Sequence, residues 1–342
     1  MLNCMKVTVL LRNRSKRISG KCALSAMILC ASTIAQKRPA IIDLTRFGYP
    51  PSSKAWNPDR CTDPYRGYHW IEWLNDSQLV LIFNTSPVCP PGAKDASISG
   101  NARVVVLSTS GKLEAERDIP YVADLWERKT PGSGLAIGPD GTILVIVSGV
   151  PWEKAPNADG VVRVFTRDLQ PIQEIPTETA STTMGYGTFT HFGLHFEGVS
   201  LDHKTVVFSE DTGVGKPQKC LLFAGVPLQQ VGDCSSDVID GHRKNFDADA
   251  PYPLSGNLIP TAFLGRSADL SLSTVFFVSD RPVCDLSGAF CAGRGTLVVY
   301  ETRSRKPLFQ RKYSLDAALA FSPDGRKIAS FLRNEVEITP VP

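Results

Sequence analysis

The residues of this 342-residue chain with the most chemical potential are few and dispersed. In "HFGLHFE", His191 and His195 stand four apart, on one face of an extended strand, with Glu197 two further on. A metal needs a third well-placed ligand, and strand-end histidines commonly hydrogen-bond within their own sheet, so no metal is expected there. Paired acids are the requirement of glycosidic hydrolysis, and Glu72, Glu197, Asp269 and Asp316 all lie on or near apolar runs expected as the innermost strands of a ring, where some could face a central channel. The competing reading, which is preferred, has them hydrogen-bonding backbone at strand ends. Asp247 and Asp249 in "DGHRKNFDADAPY" lack the ligand count of a calcium loop. No Gly-x-Ser-x-Gly or His-Glu-x-x-His motif occurs, and "GVGK" at 213–216 lacks both the upstream glycine and the following hydroxyl residue of a phosphate loop. No cofactor is expected.

The elements that must position these residues announce themselves through turns. In "FSPDGRKIAS", Ser322 suits the first position of a type I turn, Pro323 presets φ at the second and Asp324 tolerates the third. Gly325 then accepts a left-handed conformation, so 317–321 and 327–331 are expected to pair as antiparallel strands. Gly138-Pro139-Asp140-Gly141 repeats the pattern. Three weaker relatives follow: "WIEWLNDSQLVLIF" turning at Asn75-Asp76, "GVSLDHKTVVF" at Asp202-His203, and "ADLSLSTVFFV", where Ser271 and Ser273 replace the acid and the glycine. The five turns recur about every 62 residues, a repeat period that sets the architecture.

Each of the first four hairpins is followed by a second β-rich pair, beginning at Val104, Val161, Cys220 and Leu297. Four short antiparallel strands per repeat are the signature of a propeller blade. The expected fold is therefore all-β, a β-propeller of four-stranded antiparallel blades. Five blades fit the turns; six or seven would place further blades in 45–68, 119–133 or 233–258. The fifth unit has only three strands, and the N-terminal "AIIDL" is the strand expected to complete it and close the ring.

On these "SPDG"-type turns, Ser322 to Gly325 above all, residues 40–342 resemble the WD-repeat-like and TolB-like β-propellers of exported bacterial proteins. The Gly-His and Trp-Asp signature of true WD repeats is absent. The shared motif specifies a hairpin and no chemistry. Five-bladed propellers also include glycoside hydrolases with carboxylates lining the central channel, so a hydrolase acting on a glycan or lactone is the alternative.

In a propeller the turns within strand pairs and the connections between them fall on opposite faces. Here one face carries short turns, while the long segments 84–101, 119–133, 149–160, 177–194, 209–218, 233–258 and 280–295 all belong to the other. Long loops on a rigid scaffold concentrate binding residues, so this face is expected to engage a protein or carbohydrate ligand. Trp126, Trp152 and Tyr186 offer flat apolar surface there, and His191, Asp211 and Arg281 offer hydrogen bonds and charge.

The first 35 residues differ from the rest. Six bases without an acid precede a mostly apolar run, 22–35, which ends in small residues at positions 33 and 35. That order is the layout of a secretory signal peptide, and a run of about 14 residues falls short of the roughly 20 needed to cross a bilayer. Residues 1–35 are thus expected to be removed, leaving 36–342 as a single domain, secreted or periplasmic, without stable membrane insertion. Its 31 Lys and Arg against 34 Asp and Glu leave no basic patch for nucleic acid. Six cysteines remain in that domain, and an even number in an exported chain reads as disulfides. Of fifteen connectivities, pairing by sequence neighbour is expected: Cys61 with Cys89, Cys220 with Cys234, Cys284 with Cys291.

Overall fold

Short apolar runs separated by turn residues fold, in the computed structural model, into strands, twenty-three of them among the described residues. The residues described are 38–49, 69–84, 97–124, 134–148, 160–177, 180–184, 188–200, 202–211, 219–235, 258–279, 283–284, 291–315 and 317–342. Strand β1 (Ala40–Asp43) stands alone in sequence. Blade one contains β2 (His69–Asn75), β3 (Gln78–Asn84), β4 (Ser97–Ser108) and β5 (Leu113–Asp124). Blade two contains β6 (Leu135–Ile137), β7 (Ile143–Ser148), β8 (Gly160–Phe165) and β9 (Pro171–Thr177). Blade three contains β10 (Ala180–Met184), β11 (Thr188–Val199), β12 (Thr205–Asp211), β13 (Lys219–Ala224) and β14 (Gln229–Cys234).

Blade four is β15 (Leu258–Arg266) and β16 (Leu272–Ser279), then a small hairpin of β17 (Val283–Cys284) and β18 (Cys291–Ala292), then β19 (Arg294–Glu301) and β20 (Pro307–Ser314). Blade five is β21 (Ala318–Phe321), β22 (Lys327–Leu332) and β23 (Glu335–Pro340). Each blade is an antiparallel meander in sequence order, and β1 pairs with β23 to give blade five its fourth strand, with Ala40 opposite Ile338 and Asp43 opposite Glu335. The innermost strands β15, β21, β2, β6 and β11 neighbour one another in that order. The chain is a five-bladed β-propeller within the unit Arg38–Pro342, closed by its N-terminal strand.

Burial explains the strand patterns. The second strand of a blade is covered on both faces, so β3 carries an unbroken buried run from Leu79 to Phe83. The outermost β5 alternates instead, exposing Glu114, Glu116 and Asp118. Apolar clusters fill the seams between blades. Ile42 and Leu44 join Ile71, Trp73 and Phe331 between blades five and one, and Trp70, Leu74, Leu135 and Ile137 meet between blades one and two. Trp70 lies directly over Gly134, where a Cβ would sit 2.3 Å from the indole ring.

The short-turn face is a hydrogen-bonded collar. In three blades a serine hydroxyl donates to the aspartate two residues on: Ser200 to Asp202, Ser267 to Asp269 and Ser322 to Asp324, at 2.6–2.7 Å. The same hydroxyl accepts from the amide five residues on, that of Thr205, Leu272 or Lys327. Turns also bond across blades: the Ala268 amide to the Pro323 carbonyl, the Asp324 amide to Asp76 Oδ1, and His203 Nδ1 to the Ile137 carbonyl. This corrects the reading of blade four. The acid of its turn is Asp269, not a position taken by Ser271, and Leu270 at φ 59° occupies the left-handed place that Gly325 fills in blade five at φ 72°.

Gly325 has a second constraint, since a Cβ would lie 2.8 Å from Leu272 Cδ1 and 3.1 Å from Ser267 Cβ on the neighbouring blade. Gly325→Ala is therefore expected to cost about 2 kcal/mol through left-handed strain and crowding. Thermal unfolding should show a melting temperature lower by roughly 5 °C; an unchanged value would contradict the packing of these two turns.

Candidate functional site

The two faces differ in how their backbone is used. Strands β4 and β5 run beyond their blade as a paired ribbon, Ser97 opposite Asp124 and Asn101 opposite Pro120. Strand β11 extends likewise and pairs its first half with β10, from Ala180 opposite Phe192 to Met184 opposite Thr188, while its second half pairs with β12. The β17–β18 hairpin rises between β16 and β19. All three extensions stand on the face opposite the short turns. Segments 97–101, 120–124, 180–184, 188–193 and 283–292, expected as loop, are thus in part strand. They were missed because "ASTTM" and "SISGNA" are polar and lack the apolar alternation that marks a half-buried strand.

Of the ligand residues expected from sequence, the structure brings two together. His191 is opposite Ser181, and Asp211 is opposite Gly193, so both stand at the same end of blade three in a diagonal cross-strand relation. Backbone positions so related are roughly 7–8 Å apart. Trp126, Trp152, Tyr186 and Arg281 lie outside the described residues, as do Cys61 and Cys89. The Cys220–Cys234 disulfide forms, with a Cα–Cα separation of 4.9 Å. It completes a row across blade three in which His195, Ser209, Cys220 and Cys234 are successive strand partners. Cys284 and Cys291 are Cα partners in β17–β18.

The four channel acids separate. Asp269 is not a channel group: it caps its turn, and the Ser267 hydroxyl, followed by the Ser271 amide, holds its carboxyl down at about 2. Asp316 lies outside the described residues. Glu197 is the extra residue of a β-bulge between Phe196 and Gly198, and the fully buried Ser209 hydroxyl donates to it at 2.6 Å. A bulge breaks the period of two, so this pairing could not be read from spacing.

Glu72, on the innermost strand of blade one, is different. It keeps a small accessible edge but is otherwise enclosed by protein, and desolvation pushes its carboxyl up to about 7. Its one described hydrogen bond comes from the adjacent Trp73 amide at 3.3 Å. Carboxyls tuned to this range serve as general acids. Among the described residues no group of three or more His, Cys, Asp and Glu is placed to hold a metal ion. No described helix is long and apolar enough to cross a membrane.

The strand order and register define the class, a β-propeller. No protein-family model matches the chain, and no curated protein matches it. Solved structures similar to it include the Dos1 propeller, at 9% identity over 80% of this chain and 71% of that one, with a TM-score of 0.23. An endo-arabinase from Bacteroides thetaiotaomicron is 14% identical over 84% of this chain and 98% of its own, with a TM-score of 0.29. A gluconolactonase from Xanthomonas campestris is 12% identical over 90% and 100%, with a TM-score of 0.27. The assignment of five blades rests on this chain's own hydrogen-bonded strand order.

Proposed function

We propose that this chain is an exported, TolB-like binding propeller that engages a protein or carbohydrate ligand through its long-connection face. The observation that carries this reading is the asymmetry of the two faces. One is consumed by turn-to-turn hydrogen bonds, while the other raises three strand pairs, β4–β5, β10–β11 and β17–β18, above the blades. Elevated ribbons on a rigid ring hold side chains in fixed relation, which lowers the ordering cost of binding. The Cys220–Cys234 disulfide fits an oxidising destination, and the basic-apolar-small order of residues 1–35 supplies the route.

The test is a glycan array and an envelope-protein capture with wild type, followed by calorimetry of Trp152→Ala and Tyr186→Ala. Each variant is expected to weaken the captured ligand about 30-fold, or about 2 kcal/mol, as interface anchors do. Wild-type affinity in both would contradict the assignment of the face.

A second reading, a hydrolase acting on a glycan or lactone, is favoured by the raised carboxyl of Glu72 on the innermost strand. It requires that Glu72→Gln abolish turnover while retaining binding, because an amide carries no transferable proton.

A further inference from the structure

We propose that Glu72 is a proton-operated latch in the seam between blades one and two: protonated it seats there, and ionised it loosens β2 from β6. Alternation along β2 puts Glu72 on the same face as Trp70. That face meets Leu135 and Ile137 of β6, with the Trp70 indole lying across Gly134 at the start of blade two. Opposite Glu72 on β3 is Val80, which is fully buried. The carboxyl is therefore set in an apolar seam with one weak contact, the neighbouring Trp73 amide.

No cation answers it among the described residues. Strands β3, β6 and β21 carry no charged side chain in their described spans. On β22, Lys327 donates to the Asp76 carbonyl and lies over Trp73, which is on the other face of β2. His69, also on that other face, packs edge-on against Phe331. Asp76, in the turn after β2, accepts from the Asp324 amide. A buried carboxylate without a partner is costly, and the inexpensive response is to keep its proton. Towards the rim the same seam is held separately, by Arg117 donating to the Leu169 carbonyl and lying over Phe165, so ionisation acts on the inner strands.

The direction of the pH dependence follows from burial raising this group from an ordinary 4.5 to about 7. Between those values the folded chain holds a proton that the unfolded chain has lost. The stabilisation is complete below about 4.5, is lost as pH rises through 7, and stays lost above it. The latch is thus closed in mildly acidic surroundings and released at alkaline pH. It does not depend on the identity of the ligand.

The experiment compares wild type with Glu72→Gln, which keeps the shape and removes the charge. Melting temperatures should coincide at pH 4 and diverge by roughly 5 °C at pH 8, the variant being higher. Amides of β2 and β6 in wild type should exchange about tenfold faster than in the variant at pH 8, and at equal rates at pH 4. Carbon-13 titration of the wild-type glutamate carboxyls requires no variant and should show one midpoint near 7. Parallel melting curves, or a carboxyl titrating in the ordinary range, would overturn the proposal. Should the glutamine variant fail to fold, Glu72→Met takes its place in the same comparison.

Discussion

Deleting residues 39–45 is expected to lower the melting temperature by more than about 10 °C and to drive the chain into aggregates. The segment brings Ile42 and Leu44, both almost completely buried, into the seam with Phe83, Phe331 and Val336. Removing two such side chains from the core costs about 3–6 kcal/mol. Its backbone bonds are lost as well: the register from Ala40 opposite Ile338 to Asp43 opposite Glu335, and the Leu44 amide to the Asn334 carbonyl at 2.8 Å. The exposed edge of β23 then presents unpaired amides and carbonyls to other chains. Thermal unfolding with light scattering reads both effects. Ile41→Lys is the control, since Ile41 faces solvent at 63% exposure and its replacement should leave both readings unchanged. A truncated chain that melts like wild type would mean the ring does not depend on β1.

Reducing the Cys220–Cys234 bond has the next largest expected effect. The bond closes a 14-residue separation, and closing a loop of that size in the unfolded chain is worth about 3 kcal/mol. Few apolar contacts replace it, because β14 is the outer edge of blade three and exposes Gln229, Gln230 and Val231. Its hold on the blade beyond the disulfide comes from the β13–β14 ladder and the buried Leu228 in the preceding turn. The Cys220→Ser/Cys234→Ser protein should melt roughly 5–10 °C lower, with β14 amides losing protection first. Identical melting curves under oxidising and reducing conditions would contradict the stapling role.

Much of the fold was legible because the turns follow strict local rules. The Ser-Pro-Asp-Gly and Gly-Pro-Asp-Gly turns fixed two hairpins, the spacing fixed the repeat, and a blade one strand short demanded "AIIDL". Blade four was read two residues late because Leu270 occupies a left-handed position where glycine is the usual marker. The strand extensions escaped notice because they are polar ribbons standing clear of the core. At the candidate site, Glu72 was visible as an acid on an apolar strand, but that no cation answers it among the described residues depends on which side chains β3, β6, β21 and β22 bring to the seam. The Glu197–Ser209 contact was hidden by a bulge. The pairing of Cys220 with Cys234 was readable, since a short turn between β13 and β14 puts strand ends side by side.

The central claim is that one face of the ring binds and the other only holds the ring together. Amide hydrogen exchange with and without the strongest ligand from the glycan array or protein capture tests it most directly. Protection is expected in 97–101, 120–124, 180–192 and 283–292, with the turns at 138–142, 200–205, 267–272 and 322–327 unchanged. Protection confined to those short turns would contradict the account.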